Sequence, residues 1–356
     1  MSMKDLRELY RAEQLPVLQN VTFPTSDAAR NCPKGDVVLV QDLHIGLVYN
    51  CAFQPKLLQY DVNYQNEQAV SGTFRLHLEV VTKIIQRHFT GCKLVEIGCG
   101  KGYFLEHLRK AGFSVTGVDP SYQGSSPYVI KACFTPALGI RADGLILRHV
   151  LEHIPEPLVF LEELRESNKG GTVYIEVPCF EWIMQKRAWF DIYYEHVNYF
   201  RLDDFMRIFG RVYEAGHFFS GQYLYVVADL GSLRDPSRFP IQPLNFPSDF
   251  SRAIDILASQ LKKRRNQKIV WGGASKGVIF CVFMERAGVK IDAVVDINPA
   301  KQGKYLPSSG IYVLSPTELL TKSLRGVDIY VMNGNYLDEV RNMTSHQFNY
   351  FTADHE

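Results

Sequence analysis

Val95-Glu96-Ile97-Gly98-Cys99-Gly100-Lys101-Gly102 is the stretch on which the reading of this chain turns. An apolar run, Leu94 to Ile97, meets glycines that let the backbone turn tightly beside a ligand. Tyr103 to Ala111 then reads as a helix. A second strand, Ser114 to Val118, ends at Asp119, a carboxylate able to accept from ribose hydroxyls. Strand, glycine turn, helix, strand and acid form the front half of a nucleoside-binding α/β unit.

Working outward, strand and helix signals alternate from Lys93 to about Leu230, with strands at Leu94, Val115, Leu145, Val173 and Tyr223 and helices after Gly102, Pro157 and Leu202. Such alternation predicts a mostly parallel sheet covered on both faces. Residues 1–90 read as a small N-terminal segment with one clear strand, Val37 to Val40, and an amphipathic helix ending near His88. Residues 91–232 form the central domain, and residues 233–265 a linker rich in Pro, Ser and Asn followed by the helix Phe250 to Lys263. Residues 266–356 form a second Rossmann-like α/β domain: strand Lys268 to Trp271, glycine turn Gly272 to Gly277, helix, and strand Ala293 to Val295 ending at Asp296. Strand candidates at Ile311 to Val313 and Asp328 to Met332 follow.

The chain has 356 residues, 46% hydrophobic and 22% charged, enough for two or three cores. A net charge of +1, with Lys262 to Arg265 as the one extended basic run, disfavours nucleic acid as a partner. Met1 to Tyr10 is charged and amphipathic, unlike a signal peptide, and no apolar run is long enough to cross a bilayer, so a cytoplasmic protein without a membrane partner is expected. Seven cysteines, none spaced Cys-x-x-Cys, point to reduced thiols.

The details of the first glycine loop decide its ligand. Gly98, Gly100 and Gly102 alternate behind Glu96, whereas a dinucleotide fingerprint usually carries its third glycine inside the helix. A carboxylate at the strand end repels pyrophosphate and suits the cationic amino group of S-adenosylmethionine (SAM). Glu-x-Gly-x-Gly-x-Gly with Asp119 resembles the first two motifs of class I SAM-dependent methyltransferases. That resemblance implies SAM as cofactor, S-adenosylhomocysteine as product, and Glu96, Gly98, Gly100, Gly102, Asp119 and Pro120 as cofactor contacts. A dehydrogenase loop or a plain strand-turn-helix is the alternative.

Two clusters could carry chemistry. Trp189 to Phe200 leaves the carboxyl end of the strand Val173 to Val177, where ligands sit in open parallel sheets. Within it Glu195 and His196 offer proton transfer near neutral pH, Tyr193 or Tyr194 can donate to a developing oxyanion, and Asn198 is a candidate substrate contact. The bland reading makes the aromatics core and His196 structural. Arg148 to Pro155 carries His-x-x-Glu-His, the inverse of the common zinc order. Similar stretches line the methionine end of SAM in class I methyltransferases, which implies cofactor contacts for Arg148, His149 and His153 and assigns no metal ligand.

The turn Gly272 to Gly277 invites a phosphate reading, yet Lys276 is followed by Gly277 and not by a magnesium-binding hydroxyl. A phosphate-holding turn, with Gly273 and Lys276 as substrate contacts, and a merely tight strand-helix junction both remain open.

With these residues in hand, the chain resembles the three-part C-methyltransferases that act on deoxysugar nucleotides. Leu15 to Asn20, Tyr60 to Tyr64 with Phe74, Asp119 to Tyr122, Arg148 to Ile154, Tyr194-Glu195-His196 with Tyr199-Phe200, Gly221 to Leu224 and Asn298 to Gly303 carry the resemblance. It implies a small-molecule partner, a nucleotide-linked keto sugar in the first place, with the Glu195-His196 pair at the reacting carbon. It also implies a tyrosine from the N-terminal part, matched best by Tyr64 with Tyr60 close by, and a C-terminal domain that helps hold the substrate. One departure stands out: the family's N-terminal Cys-x-x-Cys pairs are absent, Gln41-Asp42-Leu43-His44 occupying the second, so no structural zinc is expected there.

The mechanism so implied has His196, supported by Glu195, take the α-proton of a ketone while a tyrosine stabilises the enolate. Oxygen and nitrogen acceptors stay open, as do a nicotinamide-dependent oxidoreductase using the second α/β unit and a non-catalytic SAM-binding protein. Oligomeric state is not legible.

Overall fold

The computed structural model describes residues 5–59, 64–65, 67–322 and 326–354. Tyr60 lies outside them. The N-terminal segment contains β1 (Leu6–Pro16), α1 (Ser26–Arg30), β2 (Lys34–Asp42) and β3 (Val48–Asn50). From Leu6 on, the charged amphipathic stretch read over Met1 to Tyr10 belongs to the strand β1. Its Glu and Arg side chains face solvent while Tyr10, Ala12 and Leu15 are buried, so it pairs antiparallel with β2 around two register shifts.

Where the resembled family would place thiolates, the β2–β3 turn is held by hydrogen bonds. Asp42 Oδ1 accepts from the amides of His44 (2.7 Å) and Ile45 (3.2 Å), and the Gln41 side chain clasps the linker at Gln242 and Leu244.

The central domain runs through α2 (Gly72–Phe89), β4 (Lys93–Ile97), α3 (Tyr103–Lys110), β5 (Ser114–Val118), β6 (Val129–Ile130), β7 (Gly144–Arg148), α4 (Pro157–Asn168), β8 (Thr172–Pro178), α5 (Phe180–Lys186), β9 (Asn198–Tyr199), α6 (Leu202–Ile208), β10 (Val212–Phe218) and β11 (Tyr223–Asp229). α2, which the sequence reading assigned to the N-terminal segment, buries Phe74, Leu78, Val81, Ile85 and Phe89 against the central sheet. The seven-stranded order is β10-β11-β8-β7-β4-β5-β6, with β10–β11 and β11–β8 antiparallel and the rest parallel. This is a mixed, Rossmann-like sheet. β9 leaves it and joins β3 of the N-terminal sheet, locking the two parts together.

After the linker come α7 (Arg252–Lys263), β12 (Gln267–Trp271), α8 (Ser275–Arg286), β13 (Ala293–Val295), β14 (Val313–Leu314), α9 (Pro316–Thr321), β15 (Val327–Val331), α10 (Leu337–Met343) and β16 (Asn349–Thr352). Their sheet, β14-β13-β12-β15-β16, is wholly parallel. In both parallel arrays the strand order reverses beside the first strand, β4 and β12, and the crevice outside the carboxyl ends there is where ligands bind. Residues from those ends of both sheets line one cleft of about 270 Å³, His149, Glu152 and Pro178 from one and Trp271, Asp296 and Asn333 from the other. No described helix is long and apolar enough to cross a membrane.

Candidate active site

The glycine loop takes the shape that its residues demand. Gly98 and Gly100 have φ of +70° and +55°, a region that side chains rarely enter, and a Cβ on Gly98 would meet Val150 at 2.5 Å. On the Cβ side of Gly100 nothing lies within 4 Å, and Gly102 caps α3. Asp119 ties the loop to the end of β5: Oδ2 accepts from the Gly100 amide (2.8 Å), and Oδ1 accepts from the amide and hydroxyl of Ser121 (2.8 and 2.6 Å). Pro120 follows it on the surface.

Glu96 is 3% exposed and its Oε2 has no hydrogen-bond partner. Burial pushes its carboxyl up to about 8 against the pull of Arg148, with Asp119, Glu176 and Glu67 adding to the rise. A buried carboxyl without a partner suits a ligand's ammonium group, and the open space at Gly100 suits a ligand lying over the loop. The residues therefore fit SAM.

Beneath the cleft lies a charge network around Glu176. This carboxylate takes His77 Nε2 at 2.7 Å, Arg148 Nε at 2.7 Å and the Tyr174 hydroxyl at 3.1 Å. Burial alone would raise it, but Arg148, His149 and His77 hold it well below the usual carboxylate range. Arg148 is thereby engaged with Glu176 and the Phe104 ring, and, like Glu96, Asp119 and the glycines of the loop, it is not among the cleft-lining residues. His149 and His153 do line the cleft. His149 sits at φ 53° between Glu152 and Glu176, both at 3.3 Å; although burial acts downward, these two carboxylates lift its pKa to about 9.

The Trp189–Phe200 segment divides its side chains between three places. His196 lines the cleft, 4% exposed, with Nε2 on the Tyr193 hydroxyl at 2.7 Å and Nδ1 unpartnered. Burial, reinforced by His153, His149 and Lys276, holds it well below its ordinary value, so it is neutral. Glu195 points elsewhere: it accepts from the Gln19 amide at 2.8 Å and from the Tyr64 hydroxyl, and it makes no hydrogen bond to His196. The expectation that Glu195 supports His196 is thus corrected: Tyr193 to His196 form a turn, the His196 amide donating to the Tyr193 carbonyl at 3.2 Å, whose two ends share the cleft side while Tyr194 and Glu195 face away. Tyr193 holds the imidazole instead.

Tyr194 also faces away, its hydroxyl accepting from the Gln54 amide at 2.8 Å and its ring against Phe53, so it belongs to the N-terminal core. Asn198 is buried in β9 and donates to the Ile154 carbonyl at 2.6 Å, a structural bond in place of the substrate contact expected. Tyr64 does line the cleft.

The second glycine turn is a tight junction. A Cβ on Gly277 would sit 1.8 Å from the Gly272 carbonyl, and the Gly273 amide donates to Asp296 at 2.8 Å. Gly273 does not line the cleft, which corrects its assignment as a substrate contact. Lys276 does, 3.1 Å from Asp191 and over the Trp182 ring at 4.7 Å. Sequence reasoning missed Asn20, Asp191, Ser275 and Lys301 as cleft residues; the Asn298–Gly303 motif was the only signal pointing to Lys301. Glu152, His153 and His196 offer ligand atoms within 4.8 Å of one another. The His149 imidazolium already faces Glu152.

Residues 69–212 match the family described as methyltransferase domain, and residues 248–349 match the C-methyltransferase C-terminal domain. The mitochondrial ubiquinone biosynthesis O-methyltransferase of Schizosaccharomyces pombe is 29% identical over 110 residues, 26% of this chain and 40% of that protein. The ubiquinone biosynthesis O-methyltransferase of Cereibacter sphaeroides is 30% identical over 101 residues, 24% of this chain and 41% of that protein. The chain spans about two-fifths of the length of these curated relatives. A SAM-dependent methyltransferase structure from Archaeoglobus fulgidus superposes on 45% of this chain and all of that one, with a TM-score of 0.34 and 18% identity. Residues 69–212 are thus a methyltransferase domain and residues 248–349 a C-methyltransferase C-terminal domain.

Proposed function

We propose that this protein transfers a methyl group from SAM to a small molecule held in the cleft between the central and C-terminal domains, and that the acceptor is a carbon beside a ketone, as in a nucleotide-linked keto sugar. The observation that carries this reading is the free Nδ1 of a neutral, buried His196 on the cleft wall. With Nε2–H given to the Tyr193 hydroxyl, Nδ1 keeps its lone pair toward the acceptor and serves as general base. Bound SAM supplies an electrophilic methyl, and the glycine loop with Asp119 and Glu96 would fix its orientation for in-line displacement.

His196 then receives the acceptor's proton, Tyr193 orients the ring, and Glu195 fixes Tyr64 at the cleft edge. Lys276 and the carboxyl ends of β12 and β15 contribute the substrate-side wall.

The test is a pair of measurements on His196→Ala. Turnover should fall about a hundred- to ten-thousand-fold while SAM affinity, measured by calorimetry, stays nearly constant. A rate within about threefold of the parent would leave His196 a structural residue and orientation alone as the source of catalysis.

A further inference from the structure

Loss of an α-proton leaves negative charge on the acceptor's carbonyl oxygen, and that oxygen needs a donor. Of the tyrosines expected to supply it, Tyr64 has its hydroxyl on Glu195, whereas Tyr193, which accepts from His196 Nε2, keeps its own proton but brings no charge. The Ser275 hydroxyl is on Tyr193, and Asn20 Nδ2 reaches Ser275 Oγ at 3.2 Å. Asn333 Nδ2 is on Gln222 at 2.7 Å, and His153 gives its Nδ1 proton to the Glu195 carbonyl at 2.8 Å. Lys276 has its charge offset by Asp191.

Lys301 differs. It is 3% exposed and lines the cleft, and its ammonium donates to two neutral acceptors, Asn20 Oδ1 at 3.0 Å and the Gly273 carbonyl at 3.2 Å. An ammonium has three protons, so one remains, and among the described residues no carboxylate pairs with it. Asn20 bridges Lys301 and Ser275, and Ser275 stands beside the Tyr193 that holds His196. The ammonium and the imidazole thus line the same cleft although they come from different domains.

We propose that Lys301 is a catalytic residue: its ammonium, presented by the C-terminal domain, receives the oxyanion of the enolate formed when the acceptor loses its proton to His196. This rests on the carbon-acceptor reading above. The α C–H bond breaks, its proton goes to His196 Nδ1, and its electron pair forms the enolate double bond as the carbonyl π pair moves onto the oxygen facing Lys301. The enolate carbon then bonds to the methyl of SAM, the carbon–sulfur bond breaks with its pair left on sulfur, and the carbonyl reforms. A fixed cation in a water-poor site stabilises such charge without reorganisation. Burial lowers the pKa of Lys301, and nearby Asp296 and Glu195 act to keep it charged.

The experiment follows exchange of α-protons by NMR for a nucleotide-linked keto-deoxyhexose in D2O, with S-adenosylhomocysteine bound so that no methyl is transferred. Lys301→Met and Lys301→Gln should each slow exchange at saturating probe by on the order of 10²–10³-fold, the cost of removing one oxyanion donor. Affinity for S-adenosylhomocysteine should not change. Asn20→Ala, which releases the clasp but keeps the ammonium, should stay within about tenfold of the parent. Lysine variants within threefold of the parent overturn the proposal. So does an Asn20→Ala loss as large as theirs, or a Lys301→Gln protein that no longer binds S-adenosylhomocysteine, since either outcome makes Lys301 a structural clasp. A parent protein that binds S-adenosylhomocysteine yet exchanges no α-proton overturns the carbon-acceptor reading, and the role of Lys301 with it.

Discussion

Glu96 shows how one side chain can report on the cofactor. Its carboxyl, ordinarily near 4.5, stays protonated in the folded chain up to about 8 because burial penalises the anion. Raised in this way, it contributes stability that is complete below the ordinary value and is lost as pH climbs from there through about 8. An ammonium placed beside it reverses the balance. SAM binding should therefore release a proton near neutral pH and strengthen as pH rises toward 8, as read by calorimetry in buffers of different ionisation heat. Glu96→Gln should abolish the release, and its persistence in that variant would assign the proton to another group. Asp119→Ala should weaken SAM binding by about 1–3 kcal/mol through lost ribose hydrogen bonds. The variant also frees the Gly100 amide, so unchanged affinity would remove Asp119 from the site altogether.

Among the elements, α2 draws part of its stability from a neighbouring domain. Its N-cap Ser71 accepts from the Phe74 amide, and Glu339 of α10 accepts from the Ser71 hydroxyl (2.6 Å) and from the amides of Gly72 (3.2 Å) and Thr73 (3.0 Å). A carboxylate at a helix N-terminus satisfies orphan amides and opposes the helix dipole favourably. Although burial acts upward, these bonds lower its pKa, so its contribution is present above the ordinary carboxylate value and is lost as pH falls through the folded one. Glu339→Ala should cost about 0.5–2 kcal/mol at neutral pH, measured by denaturant unfolding, with a smaller cost in acid. An equal cost at both pH values would point to lost packing instead of the cap. α2 itself was legible from its apolar spacing. Its cap was not, because Ser71 and Glu339 are 268 residues apart.

For the whole molecule, the contact between the two α/β domains includes a buried ion pair, Asp191 with Lys276, whose side chains are 5% and 14% exposed. Removing one partner of a buried pair leaves an uncompensated charge, and burial already raises the pKa of Asp191. Lys276→Met should thus destabilise the protein by about 3–5 kcal/mol, whereas Asp191→Asn with Lys276→Met should recover most of the loss. Chemical denaturation of the two single variants and the double variant measures the coupling. Additive losses would show that the pair does not couple the domains.

The sequence by itself determined the two α/β units, because strand, glycine turn, helix and acid are local patterns in which positive φ at Gly98 and Gly100 leaves little choice of residue. It also brought Glu96, Asp119, Tyr193 and His196 forward as chemically able groups. Only the tertiary structure decided which of them act together. Tyr193 to His196 form a turn, so its two ends entered the cleft while Tyr194 and Glu195 turned toward the N-terminal segment. β1 was hidden by the charged residues on its solvent face. Asn20, Ser275 and Lys301 come from separate parts of the chain, and their convergence on the His196 cleft follows from two sheets meeting at their carboxyl ends, which no local spacing encodes.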